Sequence, residues 1–414
     1  MLRFLTAGES HGKGLVVIVE GLPAGLDVTT EMVGAELGRR RLGFGRGPRM
    51  RFEADELTLL AGVRHGRTLG SPVAIEIGNS EWPKWTEEMS PDPGVTAKPL
   101  HQPRPGHADL PGMQKYGFDD ARDVLERASA RETAARVAAG ALAKALLAEI
   151  GVTVVSHVVQ IGEARAASGR RPSPADLDDV DDSEVRCFDP EGSEAMVQQI
   201  KAAAKVGDSL GGVVEVIAYG VPVGLGSHVH WDRKLDGLLG QAMLSIQAVK
   251  GVEIGEAVEV AGRRGSQAHD AISWDASAGG YQRATNRSGG IEGGITNGEP
   301  VLVRVAMKPL ATLNRPVLKT VDVVTKEETV SFKERTDVTA VPAMGVVAET
   351  MMALVLAGEA LRKFGGDSVG EFRRNFTSYR AAIVAAAPEA TAVDATAPAG
   401  SNHDPASERD ASAS

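Results

Sequence analysis

Apolar and β-branched residues run together over Leu15–Glu20 and predict a strand, and the Gly-Leu-Pro-Ala-Gly-Leu sequence at Gly21–Leu26 predicts the turn that follows. Thr30 is placed to cap a helical stretch that ends in arginines. The same order recurs far downstream. Val213–Ala218 reads as a strand, Gly220–Leu225 repeats the turn as Gly-Val-Pro-Val-Gly-Leu, and Leu235–Val249 reads as a helix. Two such units about half a chain apart predict an internally duplicated α/β architecture. The clearest helix follows Ser129. Ser129 and Glu132 have capping-box spacing, apolar residues recur at Ala134, Val137, Ala138, Ala141, Leu142, Ala145 and Leu146, and Gly151 stands where a left-handed cap belongs. Its many alanines predict close packing against a neighbour. A second long helix is predicted from about Met344 to Phe364, closed by Gly365-Gly366.

Two segments lack this patterning. Residues 163–194, with Pro172 and Pro174, predict an acidic flexible excursion from a single catalytic domain spanning 1–378, and residues 379–414 predict a disordered tail. Hydrophobic content of 43% over 414 residues is ample for a core. Cys187 is the only cysteine, no segment reads as a signal peptide, and no apolar run approaches the roughly 20 residues of a membrane span, so a cytoplasmic location is expected. The 55 acids exceed the 45 bases, but nine acids fall in 176–194 and five in 385–414. The remaining body is slightly positive and can attract anions although the pI is near 5.5.

That body carries one conspicuous cluster: six arginines within Arg39–Arg51, interleaved with Gly43, Gly45, Gly47 and Pro48. Guanidinium groups crowded on a glycine-rich turn repel one another unless an anion sits among them. Gly8-Glu9-Ser10-His11-Gly12 fits G-x-S-x-G, but seven residues ahead of it are too few to build the sheet a hydrolase elbow needs, and Gly12-Lys13-Gly14 lacks the phosphate-loop spacing. What survives is a serine and a histidine among small residues, which an exposed polar turn would also explain. Arg104-Pro-Gly-His-Ala-Asp109 sets a guanidinium, an imidazole and a carboxylate in one loop. Histidines there can exchange protons near neutral pH, or simply be solvated. Gly289–Gly298 is the most glycine-dense segment and fits a wide turn or backbone lying against a ring or phosphate. Asp337 can cap the second long helix or act in a site. A nucleic-acid surface fits the arginines poorly, since aromatics are only 4% and no stacking platform is evident; an oxidoreductase using NADPH directly would lack a dinucleotide fingerprint.

Taken together, Gly8–Leu15, the arginine turn, Arg104–Asp109, Glu126–Lys144, Ser245–Gly255, Asn286–Gly298, Lys308–Thr312 and Arg335–Glu349 resemble the chorismate synthase family, in order over about residues 1–378. The resemblance implies a β-α-β sandwich assembled as a homotetramer. It also implies a lyase that eliminates phosphate from 5-enolpyruvylshikimate 3-phosphate in a 1,4-anti sense to give chorismate. Reduced FMN is the implied cofactor, with NADPH or an external flavin reductase as candidate reductants, and no metal, nucleic acid or membrane is implied. By resemblance, His11 protonates departing phosphate, His107 donates a proton to the flavin, and Asp337 assists removal of the ring proton through flavin N5. Ser10, Arg39, Arg46, Arg104, Arg131 and Arg335 would hold the substrate, with Arg51 nearby. Arg40, Arg46, Arg127, Ala128, Ser129, Gln247, Ala248, Gly293, Lys308, Pro309, Leu310, Ala311, Thr312 and Arg335 would hold the cofactor.

Overall fold

The structure is a computed structural model that describes residues 2–46, 56–167, 169–275, 280–332 and 336–385. Two antiparallel sheets enclose a layer of helices. The first sheet orders its strands Arg3–Ala7, Gly14–Glu20, Val73–Gly78 and Leu57–Ala61. Strand alternation turns Leu15, Val17 and Val19 inward and leaves Ile18 on the outer face, as a half-buried antiparallel sheet requires. The second sheet orders Val249–Ile254, Val301–Met307, Gly212–Tyr219, Thr153–Ile161 and Ala164–Arg165. Helices Thr30–Arg40 and Thr133–Ala148 serve the first sheet, while Leu235–Leu244 and Val341–Phe364 serve the second. The two central helices, Thr133–Ala148 and Val341–Phe364, pack on each other. Gly140 marks their closest approach, since a Cβ there would fall 2.1 Å from Thr350 Cβ.

The duplication extends to hydrogen bonds. Gly21 and Gly25 have φ of 94° and 85°, and their counterparts Gly220 and Gly224 have 72° and 97°. In the first turn Thr68 Oγ1 accepts from Leu26 N at 2.9 Å and donates to the Pro23 carbonyl at 2.6 Å. In the second, Thr296 Oγ1 accepts from Leu225 N at 2.8 Å and donates to the Pro222 carbonyl at 2.6 Å. Each turn is therefore locked by one buried threonine from a short hairpin, a partner the repeated hexapeptide does not reveal.

Several expectations change. Thr29, not Thr30, caps the first helix, its hydroxyl accepting from Met32 N. The helix from Leu235 stops at Leu244 rather than Val249, because Ala248 takes φ of 65° and Val249 enters a strand. Ser129 accepts from Arg131 N and opens a short 3₁₀ turn ahead of the helix at Thr133; Glu132 does not complete a capping box but bonds Thr6, Arg136 and Gln247. The 163–194 segment is folded rather than flexible. It forms the strand Ala164–Arg165, the helix Leu177–Asp182 and the start of the helix Pro190–Val206, and it buries Val180, Val185 and Cys187. Leu177 packs on Val155, Ile217 and Leu302 and so covers the outer face of the second sheet. Asp181 is offset by Arg39, distant in sequence, at 2.6 Å and by Arg186 within the segment at 2.8 Å.

Val341–Phe364 is long and apolar enough to cross a membrane, contrary to the expectation that no run approaches that length; its most apolar stretch is 89% buried and it is the core helix. Helix Val369–Ala385 carries ordered chain past residue 379, with Phe372, Phe376 and Tyr379 packed on Phe364. The remainder of the expected tail lies outside the described residues.

Candidate active site

The loop between the first two strands brings Ser10 and His11 to the mouth of the fold. Gly8 makes it possible: its φ is 104°, and a Cβ would fall 2.3 Å from the Gly14 carbonyl oxygen. Asn79 donates to the carbonyls of Ser10 and Gly12 at 3.2 and 2.9 Å, and Ser129 donates to the Ser10 hydroxyl at 3.1 Å. Ser10, His11, Arg104, His107, Ser129 and Asp337 line one cavity of about 1340 Å³. That exceeds the several hundred Å³ usual for one small ligand and leaves room for two.

Each histidine is backed by a buried carboxylate that an arginine also holds. His11 Nδ1 lies 2.8 Å from Glu126 Oε1, the His11 amide donates to Glu126 Oε2 at 2.7 Å, and Arg122 donates to Oε1 at 2.9 Å. Burial pushes the Glu126 carboxyl up, but the hydrogen bonds and charge of His11, with Arg122, outweigh it and hold it below the usual carboxylate range. Trp85 stacks on His11 with ring centroids 4.1 Å apart, and the Arg122 guanidinium lies 4.9 Å from the same indole. In the second loop, His107 Nδ1 lies 2.5 Å from Asp109 Oδ1, while Arg104 Nε and Nη2 donate to Asp109 Oδ2 and Oδ1 at 2.8 and 3.1 Å. Asp109 is fully buried; desolvation raises its pKa, and the bonds from His107 and Arg104 bring it well below the ordinary value.

The arginines divide. Arg104 lines the cavity, but its fork is engaged by Asp109 and its Nη1 donates to Thr312 Oγ1 at 2.9 Å, so it shapes the wall more than it reaches outward. Arg39, expected to hold substrate, instead faces inward onto Asp181, Glu36 and Glu349. Buried carboxylates claim it, because leaving Glu349 unpaired in the core would be costly. Arg40 is buried behind the wall, donating to Thr133 Oγ1 at 3.0 Å and the Ala130 carbonyl at 3.1 Å. Arg46 pairs with Asp337, a cavity-lining residue, at 3.1 Å. Asp337 does not cap the long helix, which begins at Val341 without a side-chain cap. Arg131 donates to the Gly78 carbonyl, and Arg127 reaches the carbonyls of Thr6 and Gly8. Arg335 and Arg51 lie outside the described residues.

Ala128, Gln247, Ala248, Lys308, Leu310, Ala311 and Thr312 also line the cavity. Lys308 Nζ donates to the Gly106 carbonyl, tying this wall to the His107 loop. Pro309 and Arg127 are not among the lining residues, and Gly293 turns a separate hairpin between Ile291–Glu292 and Ile295–Thr296. Gln247 Oε1 is buried with no hydrogen-bond partner among the described residues, and so is Arg46 Nη1. Gln247 lines the cavity, and a buried acceptor there fits a ligand with ring N–H groups, as flavin mononucleotide has. Beside Gln247, Ala248 holds a left-handed conformation uncommon for a residue with a side chain, of the kind retained at binding sites. Trp85, Arg122 and Glu126 were not singled out by sequence reasoning. The i, i+4 spacing of Arg122 and Glu126 on a short helix is a signal that could have found those two; nothing local marks Trp85.

A sequence model of the family described as chorismate synthase matches residues 2–361. The chain is 60% identical over 393 residues to chorismate synthase of Salinispora tropica, covering 93% of this chain and all of that one. It is also 60% identical over 387 residues to chorismate synthase of Streptomyces coelicolor, covering 91% and 98%. A crystal structure of chorismate synthase superposes with a TM-score of 0.74 at 44% identity, covering 93% of this chain and 98% of that chain.

Proposed function

The chain belongs to the chorismate synthase family, and from that premise we propose that the cavity between His11 and His107 is where it carries out the family reaction. The enzyme is a carbon–oxygen lyase: it removes phosphate from 5-enolpyruvylshikimate 3-phosphate by 1,4-anti elimination, giving chorismate. The observation that carries the assignment of the site is the pairing of two histidines, each on a buried carboxylate, in one cavity large enough for substrate and cofactor.

The family requires reduced flavin. Ala128, Ser129, Gln247, Ala248, Lys308 and Leu310–Thr312 are the residues that would hold it as FMN, and when bound it supplies electron density beside the ring that loses phosphate. His11, fixed by Glu126, presents a proton toward the departing phosphate, where general-acid catalysis contributes about 10²–10⁴-fold. His107, paired with Asp109, holds a second proton in the same cavity. Asp337, pinned by Arg46, is the carboxylate assigned to removal of the ring proton. Ser10 and Ser129 supply hydroxyls, while Arg46 and Lys308 supply positive charge near the anions. Arg335 and Arg131 are assigned to the same anions on the resemblance alone. A cytoplasmic homotetramer, supplied with reduced FMN by an external reductase or by its own use of NADPH, completes the proposal. An anaerobic assay with chemically reduced FMN, following chorismate absorbance, tests it: product formation is expected, and its absence would overturn the reading. An aerobic repeat with NADPH and oxidised FMN separates self-reduction from dependence on a reductase.

A further inference from the structure

The Arg122–Glu126 pair stands behind His11 in the reading above, and its geometry says more about how that histidine works. Three hydrogen bonds bolt the Ser10–His11 loop to Glu126: Ser10 N to the Glu126 carbonyl at 2.9 Å, His11 N to Oε2 at 2.7 Å, and His11 Nδ1 to Oε1 at 2.8 Å. Glu126 has a side-chain exposure of only 4%, and the Arg122 contact to Oε1 keeps it an ionised, acceptor-only group. Facing an acceptor, Nδ1 must carry a hydrogen, whichever charge the ring bears. The acid–base position of the ring is thereby Nε2. Trp85, packed at 4.1 Å, restrains the ring from the side. The other charged groups lining the cavity around Trp85 are Glu88, 3.9 Å from Arg122 Nε, with Glu81, Lys84, Glu87 and Lys98.

We propose that Glu126 is a positioning residue for His11, fixing its tautomer and aiming Nε2 at the leaving phosphate, with Arg122 holding Glu126 in place and Trp85 holding the ring. The inference rests on the functional reading above. A carboxylate that sets an imidazole tautomer acts only through that imidazole, so its effect should vanish when the histidine is gone. A merely structural carboxylate would matter in either background.

The test is a double-mutant cycle of wild type, Glu126→Gln, His11→Ala and the double variant, assayed anaerobically with reduced FMN and 5-enolpyruvylshikimate 3-phosphate. Glu126→Gln is expected to lower kcat by roughly 10²-fold or more, with KM changed by less than about threefold. In the His11→Ala background the same change is expected to cost less than about threefold. In the ligand-free protein the emission of Trp85, taken as wild type minus Trp85→Phe, is expected to change on Glu126→Gln because the ring beside it is released. Binding of oxidised FMN checks that each variant is folded; should Glu126→Gln fail that check, Glu126→Asp, which keeps the charge and shortens its reach, replaces it in the same cycle. An equal loss with and without His11, an unchanged kcat, or an unchanged Trp85 emission would each overturn the proposal. A wild-type enzyme that makes no chorismate would instead overturn the functional reading.

Discussion

Glu349 offers the sharpest test of how Arg39, at the end of the first helix, is anchored. Its carboxylate is fully buried and accepts from Arg39 Nη1 at 2.7 Å, Lys144 Nζ at 2.6 Å, Arg186 Nη2 at 3.1 Å and Ser156 Oγ at 2.7 Å. In Glu349→Gln, one acceptor oxygen remains and an NH₂ group is turned toward two of the three cations, Arg39 with either Lys144 or Arg186. Arg186 is itself fully buried and keeps Asp181 as its one acidic partner among the described residues. Removing one member of a buried ion pair costs about 3–5 kcal/mol, against about 1.5–3 kcal/mol for deleting a hydrogen bond to a charged group, as in Ser156→Ala. Urea unfolding followed by circular dichroism should therefore rank Glu349→Gln as the less stable variant. The pH dependence gives a second check. Burial raises the Glu349 pKa, but Arg39, Lys144 and Arg186 outweigh it and hold it well below the ordinary 4.5. A depressed folded-state pKa contributes stability above the unfolded value and loses it as pH falls through the folded value. The gap between wild type and Glu349→Gln should thus be full at neutral pH and close progressively on acidification below about 4.5. A loss under about 1 kcal/mol, or a gap that widens in acid, would refute the charged-cluster account.

Other variants probe the remaining links. Asp109→Asn should lower turnover by roughly 10²-fold or more while oxidised FMN still binds, because His107 loses its orienting carboxylate; steady-state kinetics beside an FMN titration checks this. Gly140→Ala should destabilise by at least about 1–3 kcal/mol, since its Cβ meets Thr350 Cβ at 2.1 Å and two central helices must part; denaturant midpoints read the loss. Ala248→Gly should raise stability by about 1 kcal/mol by relieving its left-handed backbone, and should weaken FMN affinity by loosening the wall beside Gln247.

Local pattern carried much of the fold. The strand at Leu15–Glu20, the alanine-rich helix with Gly151 beyond it, and the repeated hexapeptide were legible because alternation, helical period and left-handed glycines are written in neighbouring residues. What escaped was set by distant partners. Acid-rich 163–194 looked unfoldable because Arg39, which pairs with Asp181, and the apolar face of the second sheet lie far away in sequence. For the same reason Arg39 looked like an anion ligand: nothing near it announces Glu349, more than three hundred residues on. The end of the helix at Leu244 was missed because alanine rarely takes the conformation that Ala248 adopts. At the site, the histidine loops were legible from their glycines and charges, but the carboxylate behind His11 is supplied by another element and only the three-dimensional structure pairs them.

The central claim is that His11 and His107 manage protons during the elimination within one cavity. Measuring kcat for His11→Ala and His107→Ala under reduced FMN, beside oxidised-FMN affinity for the same proteins, tests it most directly. Turnover should fall by about 10²–10⁴-fold in each variant with FMN affinity within a few-fold of wild type. Turnover at wild-type level in both variants would contradict the account.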